Sequence, residues 1–381
     1  MNSQKPLAVL HVCTSRSWGG MEMQALQTAL CLKSRGLEIT MLCHPDGALH
    51  REARAAGLAV LPMPFGNGVH PLLILRLRKH LRGNRVDLLH LHFSRDLRFI
   101  VPACEGFAPR LPIVLTKHVG SYITKKDALH RYLYSRVDLV TAISEVIRKN
   151  VIDTCPIDPA RVEIIYNGVN LKRFVPSEEN RRKMRAEFSL KEHDVVIGMV
   201  GRMSSGKGHE EFLRAATEVL RTTSSVKFLI VGGASFGEEN YAAMIQELWR
   251  NLGLQENVIF IGFRRDVPEL MSAMDILAFP SYAEAFGNVA IEAMSMALPV
   301  VSTNCDGIVD VVVDGVTGIH VPPKNSWVLA EGLLQLIRDP ERRQKFGEAG
   351  RQRVEEMFDE EKQTIKLINR YEKLITRVSP L

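Results

Sequence analysis

Two cationic side chains, Arg202 and Lys207, lie in a glycine-rich turn between a predicted strand and a predicted helix. The strand is the apolar run 195–200, and the helical pattern covers 209–221. Ligands of open parallel sheets bind at the carboxyl ends of the strands, and the unpaired N–H groups at the start of a helix favour anions. The turn is therefore a predicted phosphate site.

Two carboxylates lie in a second segment of the same kind. Glu284 stands in the loop after the apolar strand 275–280, and Gly287 precedes a predicted helix over 288–296. Glu292 lies about one turn into that helix. Carboxylates repel a bound phosphate but accept hydrogen bonds from hydroxyl groups. A ligand with both phosphates and a polyol fits the two segments together, and a nucleotide sugar has both.

The two segments resemble the donor site of the retaining family 4 glycosyltransferases, which have the GT-B architecture. Glu284 and Glu292, with seven residues between them, match the paired-glutamate motif of the family, and Arg202 and Lys207 match its diphosphate-binding pair. The resemblance implies that the two cations neutralise the diphosphate and assist its departure. It also implies that Glu292 binds ribose hydroxyls and that Glu284 holds the donor sugar. Ala285 replaces a glycine that is common in the family, and we expect this change to be tolerated.

Further donor contacts are predicted around these four residues. One group stands at the start of the helix that carries Glu292 and consists of Phe286, Gly287, Asn288 and Val289. Another follows the strand 258–263, where the resemblance implies that backbone groups of Phe263 and Arg264 read the nucleobase. Phe263 also fits a position in the core.

The first half of the chain contributes a glycine pair and a histidine. Gly19 and Gly20 permit close approach of a ligand to the backbone, and a plain turn is the alternative interpretation. The family has a comparable glycine-rich loop that faces the donor phosphates and the acceptor. His118 ends the predicted strand 112–118, where a lone histidine is usually only a polar strand end. Residues 116–118, however, resemble the family segment whose histidine approaches the donor sugar, so we assign it a catalytic role.

No metal ion and no cofactor are predicted. His90 and His92 follow the fourth predicted strand without carboxylate or cysteine companions at metal-ligand spacing, and we do not interpret them as zinc ligands. No G-x-G-x-x-G follows the first strand, which removes the main support for a nicotinamide cofactor. The nucleotide-diphosphate sugar is expected as a substrate.

Apolar runs alternate with helical patterns along the chain and predict the α/β class. Since the 381 residues exceed the roughly 250–300 of a single core, two domains are expected. The resemblance implies a GT-B fold, with two Rossmann-like doubly wound parallel-sheet domains that face each other across a cleft. We predict an acceptor domain over 1–170, a linker over 171–190 and a donor domain over 191–357. Residues 310–318 are predicted to form a strand with tight turns, and residues 351–377 an amphipathic helix. The final helix, about 358–381, is expected to pack back on the first domain.

Charge is distributed unevenly along the chain. Residues 1–170 hold 22 Lys and Arg against 13 Asp and Glu, whereas residues 171–381 hold 27 against 30. The basic half, and the basic stretch 71–82 within it, favours contact with an anionic acceptor or an anionic membrane surface. A solvated basic surface without a partner is the alternative. Nucleic acid is not expected as a partner.

The predicted function is retaining transfer of a hexose from a nucleotide-diphosphate sugar to a glycan or a lipid-linked acceptor. Cell-envelope polysaccharide or lipopolysaccharide biosynthesis is the expected setting. The chain begins without the pattern of a signal peptide, and no window reaches the roughly 18 apolar residues of a membrane span. A cytoplasmic location, with peripheral contact at the inner face of the plasma membrane, is therefore expected.

Two rival functions stay open at this point. A GT-B sugar-nucleotide epimerase or a phosphorylase-like enzyme would share the fold, and the epimerase needs acids placed for elimination and no second substrate. A binding module that has kept the fold without activity is the other rival. The four intact charged residues of the donor motifs argue against it, because a decayed site loses such costly charges first.

Overall fold

The structure is a computed structural model that describes residues 5–66, 68, 70–234 and 237–378. The chain divides into two compact units. The first unit contains the chain up to Asn167 together with the residues from Glu360 onward, and the second contains Gly168–Asp359.

The first unit is built on a seven-stranded parallel sheet with the strand order β3-β2-β1-β4-β5-β6-β7. Its strands are β1 (Ala8–Cys13), β2 (Glu38–Cys43), β3 (Ala59–Pro62), β4 (Leu88–Leu91), β5 (Ile113–Lys117), β6 (Leu139–Ala142) and β7 (Val162–Ile164). The helices between them are α1 (Gly20–Ser34), α2 (Ala48–Ala55), α3 (Pro71–Gly83), α4 (Leu97–Ala103), α5 (Ala128–Ser135) and α6 (Glu145–Thr154). All six residues of β1 are buried, as expected for a strand that helices cover on both faces.

The second unit is built on a six-stranded parallel sheet with the order β10-β9-β8-β11-β12-β13. Its strands are β8 (Val195–Val200), β9 (Val226–Val231), β10 (Val258–Gly262), β11 (Ile276–Phe279), β12 (Val300–Thr303) and β13 (Gly318–Val321). Its helices are α7 (Glu178–Glu187), α8 (His209–Leu220), α9 (Glu239–Asn251), α10 (Val267–Ser272), α11 (Asn288–Ser295), α12 (Ser326–Arg338) and α13 (Pro340–Met357). The predicted pair of Rossmann-like parallel-sheet units is confirmed.

The last helix, α14 (Glu360–Val378), belongs to the first unit. Leu367 and Tyr371 enter the same apolar cluster as residues of β1, α1 and β2. Gln27 of α1 donates a hydrogen bond to Glu360 over 2.6 Å. Both apolar burial and polar contacts therefore fix α14 against α1.

Three predicted segments differ from the structure. The stretch 171–190, predicted as a linker, contains α7, and Arg181 and Arg185 of this helix form ion pairs with Asp275 over 2.7 and 2.8 Å. These contacts make the stretch part of the second unit. A single helix predicted over 351–377 is broken, because α13 ends at Met357 and α14 begins at Glu360.

The third difference is a strand predicted over 310–318. Residues 313–317 form a turn, in which Val313 N donates to Thr317 Oγ1 over 2.8 Å and Gly315 N donates to Gly318 O over 2.9 Å. The strand begins only at Gly318. Among the described residues, no helix has the length and the apolar character needed to cross a membrane.

Candidate functional site

The predicted donor residues of the second unit lie after β8, β10 and β11. The order of strands reverses between β8 and β11, which are neighbours in the sheet. The turn 201–208 leaves the carboxyl end of β8, and the loop 280–287 leaves the carboxyl end of β11. In open α/β sheets such a reversal point is where ligands bind.

The turn after β8 and the loop after β11 are fixed to each other. Tyr282 N donates a hydrogen bond to Gly206 O over 2.8 Å. Gly208 has a left-handed backbone with φ of 81°, and a Cβ placed on it would lie 2.2 Å from the carbonyl oxygen of Pro280. Only glycine adopts this left-handed backbone without strain and leaves room for the Pro280 carbonyl. The two segments that carry the charged residues therefore lie side by side and form one surface.

Lys207 and Glu284 form an ion pair on this surface. The Lys207 Nζ lies 2.6 Å from Glu284 Oε2, and the two side chains are 26% and 21% exposed. The structure thus brings together a basic and an acidic residue that the sequence places 77 positions apart. A diphosphate that binds to Lys207 must share this ammonium group with the Glu284 carboxylate.

Arg202 stands in the same turn, with an exposed side chain. Its guanidinium has no hydrogen-bond or ion-pair partner within the described part of the chain. Arg202 can therefore meet an anion without first breaking an internal contact. Its planar fork of donors suits bidentate binding of phosphate oxygens.

The main chain of Glu284 is held by a short 3-10 turn, Asp306–Asp310. Gly307 N donates to the Glu284 carbonyl over 2.8 Å, and Glu284 N donates to the Asp306 carboxylate over 3.3 Å. A Cβ on Gly307 would lie 2.1 Å from the carbonyl oxygen of Ala285. Sequence reasoning did not find Asp306 or Gly307, because their role depends on a contact between distant loops.

Glu292 is partly buried on α11. Desolvation raises the pKa of its carboxyl from an ordinary 4.5 to about 7, and the charge of Arg173 opposes this rise. No side chain or backbone group among the described residues donates a hydrogen bond to the carboxylate. A partly desolvated carboxylate without donors of its own is suited to accept hydrogen bonds from sugar hydroxyls. Arg173 is a further residue that the sequence analysis missed.

The two helix starts at this site differ in charge. The first turn of α8 carries Glu210 and Glu211, which offset the positive end of the helix dipole. The first turn of α11 carries no acidic residue. Gly287 caps α11 with φ of 102°, and a Cβ there would lie 2.6 Å from Ile308 Cδ1. The start of α11 is therefore the better anion site of the two.

The residues around the start of α11 are not equally accessible. Phe286 is 2% exposed, and its ring centroid lies 5.6 Å from that of Phe358. Its side chain therefore packs in the core and does not reach a ligand. Asn288 and Val289, the first two residues of α11, are partly exposed.

The predicted base-binding edge follows β10. Phe263 is 76% exposed, so the alternative that placed its ring in the core is wrong. Arg264 pairs with Asp266 over 2.5 Å and with Glu187 over 2.7 Å. These two carboxylates occupy its guanidinium, so the predicted contact with the nucleobase falls to the backbone of this segment.

The glycine pair of the first unit lies at the start of α1. Gly19 is the residue before the helix, and its N–H donates to Glu22 Oε2 over 2.9 Å. A Cβ placed on Gly20 meets nothing within 4 Å. The fold itself does not require glycine at position 20, and the space over its backbone is open.

His118 lies directly after β5 and is 7% exposed. Its Nε2 is 3.1 Å from His92 Nδ1, and His92 Nε2 is 3.0 Å from His11 Nδ1. Burial, together with the charge of Lys117, lowers the pKa of His118 to about 3. The ring is therefore neutral at physiological pH and acts through hydrogen bonds rather than through charge.

His11, His90 and His92 form a buried cluster in which one ring nitrogen of each residue lies within 4.8 Å of those of the other two. Sequence reasoning found the latter two but missed His11, which stands within the apolar strand β1. The ring nitrogens of His90 contact Tyr371 and Thr116, and those of His92 contact the two neighbouring histidines. A metal ion would have to break these hydrogen bonds, so the cluster does not favour a metal site.

Comparison with known families agrees with this geometry. The sequence matches the family model of glycosyl transferases group 1 over residues 180–353, and that of glycosyltransferase family 4 over residues 18–173. The two matches fall on the second and the first unit. The chain belongs to the family 4 glycosyltransferases. The fold class is therefore GT-B, and the enzyme class is that of the glycosyltransferases, as predicted.

Individual relatives span most of the chain. A D-inositol 3-phosphate glycosyltransferase from Nocardia farcinica is 27% identical over 90% of this chain and 84% of its own length. The capsular polysaccharide biosynthesis glycosyltransferase CapM of Staphylococcus aureus is 29% identical over 64% of this chain and 62% of its own. The crystal structure of Anabaena HepE in complex with UDP and glucose shares the fold, with a TM-score of 0.82 and 24% identity over 96% of this chain and 99% of that one.

Proposed function

We propose that the protein is a retaining, metal-independent glycosyltransferase that moves a hexose from a nucleotide-diphosphate sugar to a glycan or lipid-linked acceptor. The observation that carries this proposal is the surface formed after β8 and β11. Four groups surround the point of strand reversal there. They are the exposed Arg202, Lys207 in its pair with Glu284, a helix start without acidic residues and the partly buried Glu292.

The donor would be held by complementary groups. The diphosphate would bind to Arg202, Lys207 and the start of α11. Glu292 would accept hydrogen bonds from ribose hydroxyls, and Glu284 would accept them from hydroxyls of the transferred sugar. The Lys207–Glu284 pair then rearranges so that the ammonium group lies between carboxylate and phosphate. The complex of HepE with UDP and glucose makes UDP-glucose the first donor to test.

The chemical step would replace the diphosphate on the same face of the sugar. The bond between the anomeric carbon and the diphosphate oxygen breaks, and the acceptor oxygen forms its bond to that carbon from the same side. The proton of the acceptor hydroxyl passes to the departing diphosphate oxygen. Arg202 and Lys207 stabilise the negative charge that develops there. Glu284, which is paired with Lys207, is not placed as an obvious covalent nucleophile.

The first unit would bind the acceptor. His118, as a neutral hydrogen-bonding group, is assigned the contact with a sugar substrate that the family resemblance implies. The basic charge of this half suits an anionic or lipid-linked glycan. CapM acts in capsular polysaccharide biosynthesis, which supports a related role in envelope polysaccharide assembly.

We further propose that the enzyme works in the cytoplasm with its first unit at an anionic membrane surface. Helix α3 exposes Leu72 by 81% and Leu75 by 60%, and the basic Arg76, Lys79 and Arg82 belong to the same helix. Exposed leucines beside cations are the pattern of a helix that lies on a membrane.

Incubation with a panel of nucleotide sugars in the presence of EDTA tests the proposal. We expect one donor to release its nucleoside diphosphate, and NMR of the product to show the anomeric configuration of the donor. An inverted product would contradict retention, and loss of activity with EDTA would contradict metal independence. An isomeric nucleotide sugar formed from the donor alone would instead identify an epimerase.

A further inference from the structure

A chain of three buried histidines runs through the first unit. His11 lies in β1, His92 follows β4 and His118 follows β5, and these strands are neighbours in the order β1-β4-β5. The rings of His11 and His92 are stacked with centroids 5.2 Å apart, and those of His92 and His118 with centroids 5.4 Å apart. The two nitrogen-to-nitrogen hydrogen bonds measure 3.0 and 3.1 Å. This row of hydrogen-bonded rings ends at His118, the histidine to which we assign a substrate contact.

A neutral imidazole carries one N–H donor and one acceptor nitrogen. Each of the two hydrogen bonds in the chain needs one proton, so only two arrangements are consistent. In the first, protons point from His118 towards His11, and His11 carries its hydrogen on Nε2. In the second, protons point from His11 towards His118, and all three rings carry their hydrogen on Nδ1.

The surroundings of His11 select between the two arrangements. Its Nε2 is buried and has no hydrogen-bond partner among the described residues. The first arrangement would leave an N–H group there without an acceptor, whereas the second leaves only a lone pair. Orphaned buried N–H groups are the rarer of the two in folded proteins. The second arrangement is therefore favoured.

We propose that His11 and His92 are positioning residues that hold His118 in the tautomer protonated at Nδ1. With Nε2 occupied as an acceptor for His92, His118 then offers one N–H donor, and no group of the described chain bonds to that Nδ1. His118 donates a hydrogen bond to an oxygen of the sugar substrate and cannot accept one from it. This functional consequence depends on the proposed role of His118, whereas the tautomer itself does not.

A second buried chain provides an internal comparison. The Tyr371 hydroxyl of α14 contacts His90 Nδ1, and His90 Nε2 lies 2.6 Å from Thr116 Oγ1. Tyr371 is fully buried, and among the described residues its hydroxyl has this one partner. The hydroxyl therefore donates and His90 Nδ1 accepts, because the reverse direction would leave a buried O–H without an acceptor. His90 must then carry its hydrogen on Nε2. The structure thus assigns opposite tautomers to His90 and to the other three histidines.

NMR of the full-length protein with ¹⁵N-labelled histidine tests the tautomers directly. Long-range correlations between ring protons and ring nitrogens at pH 7 distinguish Nδ1–H from Nε2–H, and single replacements assign the signals. We expect Nδ1–H for His11, His92 and His118, and Nε2–H for His90. A proton on Nε2 of His118, or rapid averaging of its two tautomers, would overturn the proposal whatever the enzyme transfers.

Replacement of His92 tests the consequence for catalysis. Asn can place an amide N–H near the former Nδ1, so His92→Asn is expected to keep the His118 tautomer and turnover within about threefold of the wild type. His92→Leu removes the N–H group that donates to His118 Nε2, so His118 is no longer held in the Nδ1–H form. Its hydrogen bond to the substrate is then lost, and kcat with UDP-glucose should fall about tenfold. His193→Asn, on an exposed residue of the second unit, serves as the control and should change nothing.

The outcomes separate this inference from the function on which it builds. Equal kcat values for His92→Asn and His92→Leu would refute the positioning role. Wild-type turnover of His118→Ala would refute the substrate contact of His118, while the NMR result would still decide the tautomer. If His92→Leu fails to fold, the wild-type spectrum and the His92→Asn variant still decide between the two arrangements.

Discussion

Replacement of Lys207 by Met should damage catalysis far more than stability. The Lys207–Glu284 pair is 2.6 Å long and its side chains keep 26% and 21% of their exposure, so solvent screens the pair in part. Ion pairs of this kind contribute at most about 1 kcal/mol to folding. The same ammonium group opposite a departing diphosphate is expected to act in the transition state, where one lost electrostatic contact lowers kcat by about 100- to 1000-fold.

The assay is release of nucleoside diphosphate from the donor identified in the panel, with urea unfolding measured on the same samples. Lys345→Met, which removes an exposed lysine on α13 of the same unit, controls for the loss of a charge. Turnover of Lys207→Met within threefold of the control, in a folded protein, would refute the reasoning. So would a loss of several kcal/mol in unfolding free energy, because it would make the pair structural.

The partner residue sharpens this test. In Lys207→Met the Glu284 carboxylate stays beside the diphosphate without its counter-ion and repels it. Adding Glu284→Gln should therefore recover part of the lost donor affinity, although Glu284→Gln alone lowers turnover. Such non-additivity is expected only for groups in contact. Losses that simply add would show that the two side chains act separately.

Three other predictions concern backbone, pH and surface. Gly208→Ala should lower the unfolding free energy by about 1–3 kcal/mol more than Gly206→Ala, because both have positive φ but only the Cβ at 208 clashes with backbone; equal losses in urea unfolding would contradict this. The pKa of Glu292 is raised to about 7 in the folded protein from an ordinary 4.5. Between these two pH values the folded state binds more protons than the unfolded state, so the unfolding free energy falls as the pH rises from 4.5 to about 7. Glu292→Gln should therefore be more stable than the wild type at pH 8 and about equally stable at pH 4, and it should bind the donor less well. A higher unfolding free energy for the wild type than for the variant at pH 8 would refute the raised pKa of Glu292. Leu72→Glu with Leu75→Glu should abolish co-sedimentation with anionic vesicles without changing the melting temperature, since both side chains are exposed, and unchanged sedimentation would remove the membrane proposal.

The sequence was sufficient to predict the strands and the loops that carry the donor residues. The carboxyl end of a strand is recognised by an apolar run that is followed by a glycine-rich turn and a helix. Parallel strands bring these ends to the same edge of the sheet. Arg202 and Glu284 could therefore be assigned to one surface. Phe286 shows the limit of this reasoning, because the same motif that predicts a donor contact does not reveal that the ring packs on Phe358.

Contacts between distant segments could not be predicted in this way. Asp306 and Arg173 act on Glu284 and Glu292 only because the chain folds back on itself. Residues 310–318 were predicted as a strand with tight turns, but hydrogen bonds within the turn at 313–317 delay the strand to Gly318. His11 was hidden by its apolar neighbours in β1, although a polar residue at the centre of a buried strand is itself a signal that a partner must exist.

Calorimetric titration of the wild type and of Lys207→Met with UDP, GDP, ADP and TDP tests the central claim most directly. We predict that at least one nucleoside diphosphate binds the wild type and that the variant binds it at least tenfold more weakly, a difference of about 1.4 kcal/mol. Binding of none of the four, or equal affinity for both proteins, would contradict a diphosphate site at Lys207.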